Sequence, residues 1–202
     1  MDPGRVLAPL QSVTVTIRAA GAPPARAMVR HPSCGPGAVD RIAVRVGRAP
    51  GSLTLVFGLE GSLDRLAIPP ARPPVRREGL WRHTCFELFM RCGVETSYAE
   101  VNVSPSGEWA AYRFDSYRDG MRDLELARAP VVEVRRAERR LDVALRIAPI
   151  PEPWGRAEAL RVGASAVVED NDGGLAYWAL AHPPGVPDFH HAAGFALELG
   201  LT

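Results

Sequence analysis

The chain has 202 residues, 47% apolar and 23% charged, with a net charge of +1, an ordinary globular composition. It is long enough to bury about 70% of its unfolded surface, so no metal or disulfide is required as a staple. All 24 basic positions are Arg, scattered among acids, and the densest run, RRAERR (135–140), is too short for a nucleic-acid surface. The N-terminal stretch MDPGRVLAPLQS has an early acid, two prolines and no apolar segment of the kind a signal peptide needs. No apolar run approaches the ~20 residues that span a bilayer. Three cysteines fit reduced thiols better than a secreted disulfide framework. A cytoplasmic location is therefore expected, with neither nucleic acid nor membrane as partner. Nothing in the sequence sets the number of subunits.

In chain order, the apolar period is two almost everywhere. VTVTIRA (13–19) alternates first, then IAVRV (42–46), with Ile42, Val44 and Val46 on one side. LTLVFGLE (53–60) places Leu53, Leu55, Phe57 and Leu59 on one face. PPARPP (69–74) reads as a loop, because proline rarely fits a central strand. VVEV (131–134), LDVALRI (141–147), VGASAVVE (162–169), LAYWALA (175–181) and FALEL (195–199) continue the series, with the loop APIPEPWG (148–155) between. EDNDGG (169–174) has the Asn, Asp and Gly of a hairpin turn and lacks the later glutamate of a calcium loop. Strands separated by Gly/Pro turns, with no amphipathic helix of useful length, predict an all-β fold. It is an antiparallel β-sandwich, jelly-roll or immunoglobulin-like, with little helix, formed by one domain over 1–202.

Two central stretches carry the chemistry. In YAEVNVSPSGEWAAYRF (98–114), Ser104-Pro105-Ser106-Gly107 has the residues of a type I turn, with Gly107 in the left-handed position of a three-residue hairpin. Asn102 then faces Ala110, and Glu100 faces Tyr112. One side carries Ala99, Val101, Val103, Trp109 and Ala111, a core face. The other carries Tyr98, Glu100, Asn102, Tyr112 and Phe114. LWRHTCFELFM (80–90), read as one strand, sorts Thr84, Phe86, Leu88 and Met90 inward, and Trp81, His83, Cys85 and Glu87 outward. If these stretches are neighbours, Trp81, Glu87, Glu100, Asn102 and Tyr112 share one wetter face. Flat rings beside acceptors suit a small molecule with alternating CH patches and hydroxyls.

Other chemistries are weaker. Ser104 or Ser106 with His190 and Asp188 could be drawn as a triad, but no G-x-S-x-G elbow exists and the turn explains both serines. Glu87 and Glu100 could serve as the acid pair of a cytosolic glycan hydrolase, the enzymatic alternative. No cofactor is called for. Haem is the alternative here, yet His83 and Met90 have opposite strand parity and cannot clamp one. No metal site is expected. Cys85 and Cys92, roughly 20 Å apart along a strand, cannot pair.

GLWRHTCFELFM, YAEVNVSPSGEWAAYRFDSYRDGM and YWALAHPPGVPDFHH…FALEL together resemble the DOMON-like domains related to family 9 carbohydrate-binding modules, over about residues 38–200. The resemblance implies a β-sandwich holding a ligand in a concave face, a sugar in one branch and haem in another. It implies a non-catalytic binding domain with Trp81 as the stacking ring and Glu87 as the hydroxyl acceptor. A second ring near the C-terminus falls to Trp178 or Phe189. Apart from the resemblance, His190 of the DFHH segment, beside Asp188, is a candidate ligand contact or a hydrogen-bonded loop anchor. Where those modules place a basic ligand contact on the YxE strand, this chain has Glu100.

Overall fold

A computed structural model describes residues 23–200, so the alternating run 13–19 lies outside the described residues. The strands are β1 (Arg26–Ala27), β2 (Val29–Arg30), β3 (Val39–Ala49), β4 (Ser52–Gly61), β5 (Cys85–Cys92), β6 (Tyr98–Val103) and β7 (Trp109–Phe114). They continue as β8 (Arg122–Asp123), β9 (Val131–Arg136), β10 (Arg140–Ile147), β11 (Ala159–Glu169), β12 (Leu175–Ala179) and β13 (Leu197–Gly200). Helical structure among the described residues is confined to three-residue 3-10 turns. None of it is long and apolar enough to cross a membrane.

The strands form two antiparallel sheets packed as a sandwich. The smaller has the order β1-β3-β4-β10-β9, and the larger β2-β12-β11-β5-β6-β7-β8. β13 pairs with β11 from Ala159 to Val162, on the stretch before β12 takes over at Ser165. The core lies between the sheets. Leu53, Leu55, Phe57 and Leu59 of β4 are fully buried and meet Phe86, Leu88 and Met90 of β5; the rings of Phe57 and Phe86 are 5.1 Å apart. Period-two alternation makes this possible, since every second side chain of a strand reaches the same face.

The hairpin has the expected register: Asn102 is opposite Ala110, Glu100 opposite Tyr112, and Gly107 has φ of +94°. Ser104 N–H donates to Glu108 O at 2.9 Å, and Gly107 N–H to Ser104 O at 2.9 Å, which closes the loop. β5 does pair with β6, setting Glu87 opposite Asn102.

Three expectations are corrected. Strand β5 begins only at Cys85, because Leu80–Arg82 forms a 3-10 turn. The strand before the C-terminus begins at Leu197, and Phe195 leaves the row to pack elsewhere. Above all, the outer face of the larger sheet is not wet: Glu87, Glu100 and Asn102 are 2%, 5% and 0% exposed. Loops cover it, and a second apolar cluster of Leu80, Cys85, Phe89, Tyr98, Ala110, Tyr112, Phe114 and Phe195 forms beneath them.

Candidate functional site

Cross-strand register places the site residues in rows on this outer face. One row runs Ser165, Glu87, Asn102, Ala110; the next runs Gly163, Phe89, Glu100, Tyr112. The two glutamates are diagonal neighbours on adjacent strands, so their carboxyls project from one wall. Above them is a cavity of about 360 Å³, within the range of small-ligand pockets. Its walls include Trp81, Glu87, Glu100, Phe114, Tyr177, Phe189 and His190, with Arg118 and Met121 toward solvent.

Two covering segments complete it. Gly79, at φ of +75°, opens the turn that carries Trp81, and buried Leu80 anchors that turn to the sheet. The Trp81 ring stands edge-on to Tyr112 at 5.7 Å, and the Arg82 guanidinium lies 5.7 Å from its centroid. Trp81 therefore reaches the outer face from a 3-10 turn over the sheet rather than by strand parity. The second cover is the segment around residues 186–195. It can press onto the sheet because β11 has Gly163 at the contact, where an added Cβ would stand 2.8 Å from Gly194 O. Asp188 ties the segment down: it accepts from Tyr117 Oη at 2.7 Å, from Arg118 Nη2 at 2.9 Å and from His190 N–H at 3.1 Å. Burial opposes its ionisation, but these donors and the Arg118 charge hold its carboxyl below the usual aspartate value.

His190 is fixed through a 2.8 Å hydrogen bond between its Nδ1 and Tyr98 Oη. Burial pushes its pKa down to about 4, Arg118 adding in the same direction and Asp188 opposing, so the imidazole is neutral at pH 7. Its Nε2 lies 3.9 Å from Glu100 Oε2, and with the imidazole neutral this is not an ion pair. Ser165 Oγ donates to Glu87 Oε2 at 2.9 Å, and Asn102 Nδ2 to Glu100 Oε1 at 2.7 Å. Burial raises both carboxyls above the ordinary range; the Glu100 charge raises Glu87 further, while Arg118 and Asn102 restrain Glu100. With Glu87 raised to about 8 and Glu100 to about 7, the pair still holds at least one proton at neutral pH.

Of the residues singled out from sequence, Trp81, Glu87, Glu100 and His190 line the cavity, and Asn102 and Tyr112 support it from beneath. Trp178 is not brought there. It pairs with Ala166 and faces the inter-sheet core, 5% exposed, while its neighbour Tyr177 points the other way into the cavity. Of the two rings considered near the C-terminus, Phe189 is the one at the site. Tyr177 was missed because LAYWALA alternates equally well in either phase; only the pairing with β11 chooses one. Arg118 and Met121, on the turn after β7, gave no signal.

Elsewhere, His83 is largely exposed and bonded to Glu169 at 2.8 Å, while Met90 is in the core, so they lie on opposite sides of the sheet. Among the described residues no group of three His, Cys, Asp or Glu is placed to hold a metal ion. Cys34, Cys85 and Cys92 are free thiols. Ser106 Oγ donates to Glu108 Oε2 at 2.9 Å, and Arg77 Nε to Glu108 Oε1 at 2.5 Å, which makes the serine part of a turn network.

No family model matches the chain, and no curated protein matches it by sequence. Solved structures do. A candidate carbohydrate-binding protein from Bacteroides uniformis superposes with a TM-score of 0.61 at 10% identity, covering 88% of this chain and 85% of that one. A family 9 carbohydrate-binding module from Caldicellulosiruptor kristjanssonii, in complex with glucose, superposes with a TM-score of 0.50 at 10% identity, covering 84% and 80%. The chain shares the β-sandwich fold of these proteins.

Proposed function

We propose that the chain is a non-catalytic binding domain for a small carbohydrate-like ligand, held in the cavity over the outer face of the larger sheet. The observation that carries this is the composition of one open-mouthed cavity: the rings of Trp81, Tyr177 and Phe189 line it beside two buried carboxyls with open acceptor capacity. Rings bury the CH faces of a sugar, and carboxyls exchange hydrogen bonds with its hydroxyls. The fold shared with carbohydrate-binding proteins, one of them holding glucose, supports the same conclusion. A DOMON-like affiliation and a cytoplasmic site of action belong to this proposal as its finer parts.

The test is a thermal-shift screen of the purified chain against neutral mono- and disaccharides, nucleotides and haem, followed by calorimetric titration. A ligand at a hundredfold excess over its Kd stabilises by about 2.7 kcal/mol. Stabilisation by a sugar that Trp81→Ala markedly reduces is the expected result. Stabilisation by haem or nucleotides alone, or sugar binding indifferent to Trp81, overturns the proposal.

A further inference from the structure

The cavity holds more acid than available base. Glu87 and Glu100 are 2% and 5% exposed, and their hydrogen bonds come only from the neutral donors Ser165 and Asn102. Glu87 Oε1 and Glu100 Oε2 accept none among the described residues, although both side chains line the space. Three basic groups are near, and the first, Arg82, stacks 5.7 Å from the Trp81 centroid with no hydrogen bond to either glutamate. Arg118 is committed to Asp188 at 2.9 Å, and neutral His190 keeps its Nε2 at 3.9 Å from Glu100. The other titratable groups facing the pair are Cys85, Tyr98 and Tyr112, each with its pKa raised by burial and therefore uncharged at pH 7. The remaining walls are largely rings: Trp81, Phe114, Tyr177 and Phe189.

A neutral ligand does not need this arrangement. Glutamine at either position would serve hydroxyls as well, without the penalty of an ionisable group in a buried site. Resting on the assignment of this cavity to a carbohydrate-like ligand, we propose that the ligand carries a protonated amine, an amino sugar being the class that uses both the hydroxyl-binding and the cation-binding features. The ammonium brings three N–H donors to carboxyl oxygens that lack one. Its charge lets the carboxyls ionise, and the faces of Tyr177 and Phe189 add cation–π attraction, Trp81 already having Arg82 beside it. The protons balance simply: the ammonium keeps its own, and each carboxyl that ionises releases one to solvent. Binding therefore releases protons, whereas binding of a neutral sugar does not.

The experiment is calorimetric titration of the full chain with glucose, glucosamine, N-acetylglucosamine and choline, at pH 7 in buffers of different ionisation enthalpy. Glucosamine is expected to bind at least tenfold more tightly than either neutral sugar, with heats that vary between buffers as proton release requires. The preference should shrink at pH 5, where both carboxyls hold their protons. In Glu87→Gln and in Glu100→Gln the ratio of glucosamine to glucose affinity should fall toward one. If either variant fails to fold, the wild-type pH series decides alone. Equal affinity for glucosamine and glucose, with no proton release, overturns the ammonium and leaves the carbohydrate proposal standing. Binding of choline with no sugar bound upholds the ammonium and overturns the carbohydrate. Absence of binding by all four overturns both.

Discussion

The two sheets share a core but use their outer faces in opposite ways. On the smaller sheet, β4 buries every second residue and leaves the others half-exposed, and β10 does the same except at buried Ala144. There Arg41 and Arg140 pair with Glu60, and Arg140 with Asp142, each at 2.7 Å. On the larger sheet, β5, β6 and β7 are buried on both faces over most of their length. An acid in the first setting is screened by water and paired with Arg; in the second it is desolvated and pushed toward neutrality. The same residue type is a solubilising surface group on one sheet and a candidate ligand contact on the other. Burial of the second face makes the difference, and loops supply it.

The largest expected effects test whether the larger sheet really is two-sided. Phe86→Ala, on the core face, should destabilise by about 3–5 kcal/mol in urea unfolding. Phe89→Ala, three residues on and facing outward, should cost a similar amount, because its ring is 1% exposed and packs 5.2 Å from His190 and 6.2 Å from Phe195. The matching change on the smaller sheet, Thr54→Ala, should cost about 1 kcal/mol or less. If Phe89→Ala behaves like Thr54→Ala, the covering of the outer face is wrong.

Next in size is Trp81→Ala, which should weaken ligand binding by about 1–3 kcal/mol in calorimetric titration. It should leave the fold intact, since buried Leu80 anchors the turn. Gly107→Val should cost about 1–3 kcal/mol of stability. The backbone there sits at φ of +94°, and a Cβ would approach Arg72 O to 3.3 Å. Retained stability would mean the hairpin does not hold that conformation.

The pH response sharpens the contrast further. A carboxyl whose folded pKa lies above its unfolded value keeps its proton in the native state after the unfolded chain has released it. Native stability then falls as pH rises from the ordinary value of 4.5 through the folded pKa of Glu87 and Glu100. In the absence of ligand, Glu87→Gln should therefore be more stable relative to wild type at pH 8 than at pH 5, by about 1 kcal/mol or more. Thermal melts at both values check it, and a constant difference would place Glu87 in contact with water. Smallest of all is Arg41→Ala on the smaller sheet. It should shift the urea midpoint no more than an ordinary surface substitution, because exposed pairs gain little.

Alternation, turn chemistry and hairpin register were legible in the sequence because they depend on neighbours within a few residues. Ile42 to Val46, Leu53 to Leu59 and Val101 to Val103 sort to one face by parity alone. Gly107 takes its turn position because few other residues adopt positive φ. The pairing of Glu100 with Tyr112 follows from a loop of fixed length. What parity could not decide was what lies above a face. LWRHTCFELFM alternates like a strand through Trp81, yet Gly79 starts a 3-10 turn there, and the ring arrives from over the sheet. Tyr177 and Trp178 stand in equally plausible phases, and only the ladder between β12 and β11 sends Trp178 to the core and Tyr177 to the cavity. The burial of Glu87 and Glu100 depends on a segment almost a hundred residues away, seated against Gly163 and held by Asp188. Local sequence determines which side of a strand a residue faces; the surroundings of that side, and so the charge state of its acids, are set by contacts between parts of the chain that are distant in sequence.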